Sequence, residues 1–193
     1  RRPNHNLPLM YWYAAEPVAG TPGRGLASGQ AAVRRLDLSG SPTALDAGDD
    51  TNEERLAASY ARLCERMQPY QLTADLEFMP WTAVDCASTA LRVIDKAGQP
   101  ANAGILTDAL HFGRSATTLA DVRGIPRHLL HYAQICDAKA GRNFSNEEMI
   151  HTARCERLLA GEGDIDVKGL FAALPPDLPV SVEDRKSTRL NSS

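Results

Sequence analysis

The sequence lacks three features that would each have pointed to a class of protein. No apolar run approaches the roughly 18 residues of a membrane-spanning helix, and no hydrophobic leader is visible at its start. The formal net charge is −3, so no basic surface is implied and nucleic acid is not an expected partner. The four cysteines lie far apart without a CxxC pair, which argues against a disulfide or a thiolate metal site. We therefore expect a cytoplasmic protein with reduced, buried or half-buried thiols and no membrane partner.

The composition is that of a globular protein, with 43% hydrophobic and 23% charged residues in a chain of 193. Beyond residue 50, strand-like and helix-like segments alternate. The predicted strands are 32–38, 72–78, 104–108, 129–136 and 179–183, and 109–115 is predicted as a turn. The first predicted helix is 52–68, opened by a capping box of Thr51 and Glu54, and the second is capped by Thr82 and stopped at Gly98. A weak helix is predicted at 118–122. The last two are 145–159, opened by a capping box of Ser145 and Glu148, and a short helix capped by Asp166.

Such alternation predicts parallel strands with helices outside, either as a doubly wound open sheet or as a (β/α)8 barrel. A dinucleotide-binding open sheet would carry GxGxxG between a strand and a helix. The pairs Gly23-x-Gly25 and Gly161-x-Gly163 occupy no such place. The polar residues at the ends of the predicted strands favour the barrel, because its strands all point their carboxyl ends at one mouth.

Four predicted strands carry, at their carboxyl end or within two positions of it, a polar residue able to bind a metal: Glu77, Asp108, Gln134 and Glu183. Three carboxylates and an amide converging on one mouth suit a divalent cation, with Mn²⁺, Mg²⁺ or Co²⁺ preferred and Zn²⁺ also compatible. A metal that holds a carbonyl and an adjacent hydroxyl acidifies the neighbouring C–H bond. Glu77 and Glu183 are then the expected pair of proton-transfer groups.

Two further residues fit this chemistry. His111 lies three residues after Asp108 and is expected to donate a hydrogen bond to a developing enolate oxygen, while Arg114 is expected to hold a phosphate or carboxylate. Each candidate also has a purely structural interpretation. Glu77 could be a solvated acid, Asp108 a helix cap, His111 a loop histidine, Gln134 a buried amide, Trp81 a packing residue, and Arg114 and Arg157 surface arginines.

Five motifs in order carry a resemblance. They are LEFMPW with Glu77, DALHFGRS with Asp108 and His111, YAQICDA with Gln134, GEGDID, and PVSVE ending at Glu183. Together, over about residues 32–183, they resemble the sugar phosphate isomerase/epimerase family, TIM barrels of the xylose isomerase-like superfamily. The resemblance implies that Glu77, Asp108, Gln134 and Glu183 are the metal ligands and that His111 contacts the substrate. It also implies a substrate-binding arginine at Arg157, although Ala160 stands where proline is usual.

The resemblance implies a divalent-metal-dependent isomerase or epimerase that acts on a sugar or sugar phosphate through an enediolate. Gln134 departs from the epimerases, where histidine is commoner, and resembles the dehydratase branches that act on 3-dehydroshikimate or inososes. A lyase is therefore the alternative, and a non-catalytic barrel fragment is a third. The expected partner is a small carbohydrate or polyhydroxy acid, and a homo-oligomer is compatible with the sequence. The AP endonucleases of the superfamily need a His-rich three-zinc site and a DNA-binding surface, which this sequence does not offer.

The resemblance further implies that the chain holds an incomplete C-terminal portion of a TIM barrel, with five or six of about eight strands. Residues 1–31 do not match and stay unassigned, as a start that need not be native. Residues 32–184 are expected to form the partial barrel domain. Residues 185–193, RKSTRLNSS, resemble a translated adapter and are taken as a non-native tail. Because missing neighbours leave an open sheet edge, we expect this chain to fold poorly alone.

Overall fold

A computed structural model describes residues 50–139 and 143–183, together with the backbone of 13–14 and 34–35. The strands are β1 (Tyr13–Ala14), β2 (Arg34–Arg35), β3 (Ala74–Glu77), β4 (Ala103–Asp108), β5 (Ala133–Ile135) and β6 (Val180–Val182). The helices are α1 (Glu53–Met67), α2 (Ala87–Lys96), α3 (Ala109–Arg114), α4 (Leu119–Gly124), α5 (Asn146–Cys155) and α6 (Val167–Ala173), with 3₁₀ turns at Gln68–Tyr70 and Arg127–Leu129. Three of the predictions concern residues outside the described ones. They are those for 185–193 and, apart from the short strands β1 and β2, those for 1–31 and 32–38.

The strands are hydrogen-bonded in the order β2-β1-β3-β4-β5-β6. The two short strands β1 and β2 pair antiparallel, whereas β4, β5 and β6 pair in parallel, as the alternation of strands and helices predicted. Their register sets Asp108 beside Gln134 and Gln134 beside Ser181. Polar residues at the carboxyl ends of neighbouring strands are thereby brought side by side.

The chain divides into two compact units. The first comprises Arg1–Leu76 and Arg92–Gly104, and the second comprises Glu77–Leu91 and Ile105–Ser193. Every residue of the candidate site belongs to the second unit. In the part of the chain that the structure describes, no helix combines the length and the apolar character needed to cross a membrane.

In the first unit, α1 packs through a stripe of buried side chains at helical spacing, among them Leu56, Tyr60 and Met67. The Tyr60 hydroxyl donates to the carbonyl oxygen of Ala74 at 2.6 Å and accepts from the backbone nitrogen of Gly104 at 3.1 Å. It therefore ties β3 to the start of β4. The predicted capping box is wrong by one position, because the N-cap is Asn52, whose side chain accepts from Arg55 N.

Helix α2 starts at Ala87, so the prediction that Thr82 caps it is wrong. The Thr82 hydroxyl instead donates to the carbonyl oxygen of Met79, and the chain makes a turn there before the helix begins. The predicted stop at Gly98 is confirmed by its φ of 82°, which glycine adopts without strain.

In the second unit, the segment predicted as a turn after β4 is the helix α3. Capping explains the difference, since Asp108 is its N-cap. The capping box of Ser145 and Glu148 at the start of α5 is confirmed, as is the cap of α6 by Asp166. Helix α5 ends at Cys155, earlier than predicted, and leaves that thiol exposed; the expectation that all four cysteines are buried or half-buried is wrong there.

Candidate metal centre

Glu77 is the last residue of β3 and is 5% exposed, so its interpretation as a solvated acid is wrong. Its Oε1 lies 3.3 Å from Nε2 of His111. The half-buried Trp81 presents its ring to the His111 ring edge to face, with the centroids 5.0 Å apart. Trp81 therefore packs against the imidazole and restricts its orientation.

Asp108 ends β4 and is completely buried. Its Oδ1 accepts a hydrogen bond from the backbone nitrogen of His111 at 3.1 Å, and its Oδ2 accepts one from Nη1 of Arg157 at 2.8 Å. The helix-cap interpretation of Asp108 thus holds, and the same carboxylate also faces the other candidate residues. The cap orients α3 so that His111, one turn later, comes back toward the strand ends.

Gln134 lies in β5 beside Asp108 and is 4% exposed. Its Oε1 is buried and has no hydrogen-bond partner among the described residues. Burying an amide oxygen without a hydrogen-bond donor costs about 1–3 kcal/mol, unless a bound cation or another donor contacts the oxygen. This oxygen is therefore available to a cation.

Glu183 directly follows β6, and its backbone nitrogen donates to the carbonyl oxygen of Ile135 at 3.1 Å. Its Oε1 lies 3.5 Å from Nη2 of Arg157. Burial raises the pKa of Glu183 to about 7, helped by the negative charges of Asp108 and Glu77 and opposed chiefly by the guanidinium of Arg157. This carboxyl can therefore hold or release a proton near neutral pH.

Arg114 and Arg157 are both buried, 5% and 3% exposed, so their interpretation as surface arginines is wrong. Burial acts to lower the pKa of Arg157, but the surrounding negative charges, first of all Asp108, outweigh burial and raise it. The Arg114 guanidinium lies 3.8 Å over the ring of Phe144, and burial lowers its pKa. Its Nη2 donates to the carbonyl oxygen of Lys139 at 3.0 Å, while Nε and Nη1 have no partner among the described residues.

The donor set fits a divalent cation. Glu77, Asp108 and His111 each offer one ligand atom, all three within 4.8 Å of one another and all buried. When Glu77, Asp108 and Glu183 are ionised, Arg157 balances one of three negative charges, and the excess of two equals the charge of such an ion. The sequence predicted that His111 contacts the substrate, and the structure also places it in the cluster of possible metal ligands. Glu183 lies outside that cluster but contacts Arg157, which in turn contacts Asp108.

The sequence reasoning missed two neighbours of this site. The thiol of Cys136 accepts from Nη1 of Arg157 at 2.9 Å. Asp137 is 1% exposed and anchors the GEGDID loop, because its carboxylate accepts from the backbone nitrogens of Ala138 at 2.8 Å, Gly161 at 2.9 Å and Ile165 at 3.1 Å. A carboxylate immediately after the strand of Gln134 was the available signal for Asp137.

The fold and these residues define a class of protein. The chain belongs to the xylose isomerase-like TIM barrel family, whose model matches residues 28–189. The predicted superfamily and the α/β barrel class are confirmed by this match. A search of curated protein sequences gave no significant match to the chain.

Solved structures of the same fold include three whose descriptions bear on function. The IolI protein, solved with a zinc atom, is 20% identical at a TM-score of 0.56, covering 70% of this chain and 49% of that one. A probable 3-DHS dehydratase, AsbF from Bacillus anthracis, is 16% identical at 0.57, covering 68% and 50%. A D-allulose 3-epimerase from Methylomonas sp., solved with D-allulose, is 20% identical at 0.55, covering 72% and 46%. The chain thus spans about half the length of these structures, and at such identities the likeness concerns the fold.

Proposed function

We propose that the protein is a divalent-metal-dependent enzyme that moves a proton at the carbon beside a carbonyl group of a small polyhydroxylated compound. The first candidate reaction is isomerisation or epimerisation of a sugar or sugar phosphate. The observation that carries the proposal is the buried cluster of Glu77, Asp108 and His111, beside the unpartnered amide oxygen of Gln134. The zinc atom in the IolI structure and the sugar in the allulose epimerase structure support it by analogy of fold.

Glu77, Asp108, Gln134 and Glu183 would hold the cation, with His111 as a further possible ligand. When bound, such an ion polarises the substrate carbonyl and its neighbouring hydroxyl and so acidifies the C–H bond beside them. Mn²⁺, Mg²⁺ and Co²⁺ are the preferred ions for the predicted oxygen ligands. If the imidazole of His111 also binds the ion, Zn²⁺ fits the site as well, because Zn²⁺ favours nitrogen ligands.

The proton transfers are assigned to the chain's own carboxylates. Glu77 is the proposed base, and its contact with His111 Nε2 keeps the carboxylate pointed at the strand ends. Glu183, the carboxylate that follows β6, is the proposed group that returns a proton. In an epimerisation the returned proton goes to the opposite face of the same carbon, which requires the substrate to lie between the two side chains.

The buried arginines are the proposed contacts for the rest of the substrate. Arg114 retains two N–H groups without partners among the described residues, which suits a phosphate or carboxylate oxygen. Arg157 lies closer to the reacting carboxylates, as its contacts with Asp108 and Glu183 indicate.

A non-catalytic chain that merely binds a polar ligand is the third possibility. It predicts that Mn²⁺ binds but that no substrate is converted.

One residue favours a second candidate, a metal-dependent dehydratase. Gln134 stands where the epimerases more often carry histidine and resembles the dehydratase branches in this respect. In a dehydratase the same base, Glu77, removes the proton, and the proton held by Glu183 or His111 goes to the departing hydroxyl group instead of to carbon. The two candidates therefore differ in where one proton goes, and the probable dehydratase among the solved structures makes the second reaction worth testing beside the first.

The test incubates the protein with Mn²⁺ in deuterium oxide and, in turn, L-ribulose, D-allulose and 3-dehydroshikimate. Epimerisation would leave deuterium in an isomeric sugar, seen by NMR. Dehydration would give an enone or aromatic acid that absorbs in the near ultraviolet. Glu77→Gln should abolish either product, whereas the matched variant Glu65→Gln, at an exposed position on α1, should leave it unchanged. Binding of Mn²⁺ without product or deuterium exchange from any substrate would count against catalysis on these compounds.

A further inference from the structure

Arg157 contacts two of the residues predicted to bind the metal. Its Nη1 lies 2.8 Å from Oδ2 of Asp108, and its Nη2 lies 3.5 Å from Oε1 of Glu183. The side chain is 3% exposed, and its Nε donates to the carbonyl oxygen of Ala153 at 3.0 Å. The guanidinium is thus held in place by the preceding helix α5 and brings one fixed positive charge among the carboxylates.

Both oxygens of Asp108 already accept hydrogen bonds. Oδ1 accepts from the backbone nitrogen of His111, and Oδ2 accepts from Arg157 and faces the Cys136 thiol at 3.9 Å. The first of these bonds is the cap of α3 and is fixed by the backbone. A cation that takes Asp108 as a ligand therefore binds a carboxylate that Arg157 already contacts at 2.8 Å.

We propose that Arg157 is the internal counter-ion of this centre, and that its positive charge, held against Asp108, weakens the binding of a divalent cation. The inference rests on the proposed function. A positive charge so close to a ligand carboxylate lowers the attraction of that carboxylate for a second cation. The opposite expectation, an arginine that orients the ligands and so strengthens metal binding, is physically sound and gives the opposite sign.

The test measures Mn²⁺ affinity by calorimetry, without any substrate. Arg157→Gln removes the charge but keeps an N–H donor, and we expect it to bind Mn²⁺ about tenfold more tightly or better. Arg157→Lys keeps the charge and should stay within about threefold of the unmodified protein. Arg123→Gln, at an exposed position, is the matched control and should not change the affinity. Unchanged or weaker binding by Arg157→Gln would overturn the proposal.

A second measurement needs no variant and covers the case in which Arg157→Gln fails to fold. In protein labelled with ¹⁵N-arginine, titration with Mg²⁺ should shift the side-chain Nε–H resonance of Arg157 and leave that of Arg123 unmoved. An Arg157 resonance that stays fixed while Mg²⁺ binds would overturn the proposal but leave the proposed function standing. Failure of the unmodified protein to bind either ion would overturn both.

Discussion

Replacing Asp137 with alanine should destabilise the second unit through loss of hydrogen bonds. The buried carboxylate accepts from three backbone nitrogens, of which those of Ala138 and Ile165 are buried and that of Gly161 is partly exposed. A buried donor left without an acceptor costs about 1–3 kcal/mol. For the two buried donors, and with little from the third, we expect Asp137→Ala to lower the free energy of unfolding by about 2–6 kcal/mol.

Asparagine at this position separates hydrogen bonding from side-chain size. Its Oδ1 can still accept from Ala138 and Ile165, while its amide nitrogen faces the Gly161 nitrogen, so we expect a smaller loss of about 1–2 kcal/mol. Urea denaturation followed by circular dichroism measures both variants. Asp164→Ala, an exposed residue of the same loop, is the control and should stay within about 0.5 kcal/mol. If Asp137→Ala matches that control, the carboxylate does not anchor the loop.

Three further predictions follow from individual contacts. Tyr60→Phe should cost about 1–3 kcal/mol in the same assay, since Gly104 N loses its buried acceptor, and a neutral result would contradict the tie between β3 and β4. Gly163→Ala should cost about 1–3 kcal/mol, because a Cβ there would overlap the Asp137 carboxylate and the Ala138 carbonyl; unchanged stability would mean that the loop gives way freely. With a chelator present, stability should fall as pH rises from about 4.5 to 7, since Glu183 with its raised pKa binds more protons folded than unfolded. Glu183→Gln should flatten that slope, and an equal slope in both proteins would refute the assignment.

Local patterns made the strand ends of the site predictable. Glu77 and Asp108 end β3 and β4, Glu183 follows β6, and Gln134 lies one position before the end of β5, as the hydrophobic alternation indicated. The capping box of Ser145 could also be found, because its two partners are three residues apart. At the first helix the same rule selected Thr51 over the adjacent Asn52, since either residue can cap and only the backbone path decides.

Long-range contacts could not be predicted in this way. Arg157 and Asp108 are 49 positions apart, and although the resemblance implied a substrate-binding role for Arg157, no local pattern predicted its contact with Asp108. The same holds for Asp137, whose partners lie 24 and 28 positions further along the chain. The identity of the strand-end residues follows from local pattern, whereas the charge that balances them follows from the folded topology.

Calorimetric titration with Mn²⁺ tests the central claim, a divalent-metal centre at the strand ends, most directly. The unmodified protein should bind one Mn²⁺ per chain. Glu77→Gln keeps the size of the side chain but removes a ligand charge, and it should bind at least about tenfold more weakly. Glu65→Gln should bind like the unmodified protein. Equal binding by the Glu77→Gln variant, or no binding by the unmodified protein, would contradict the metal centre.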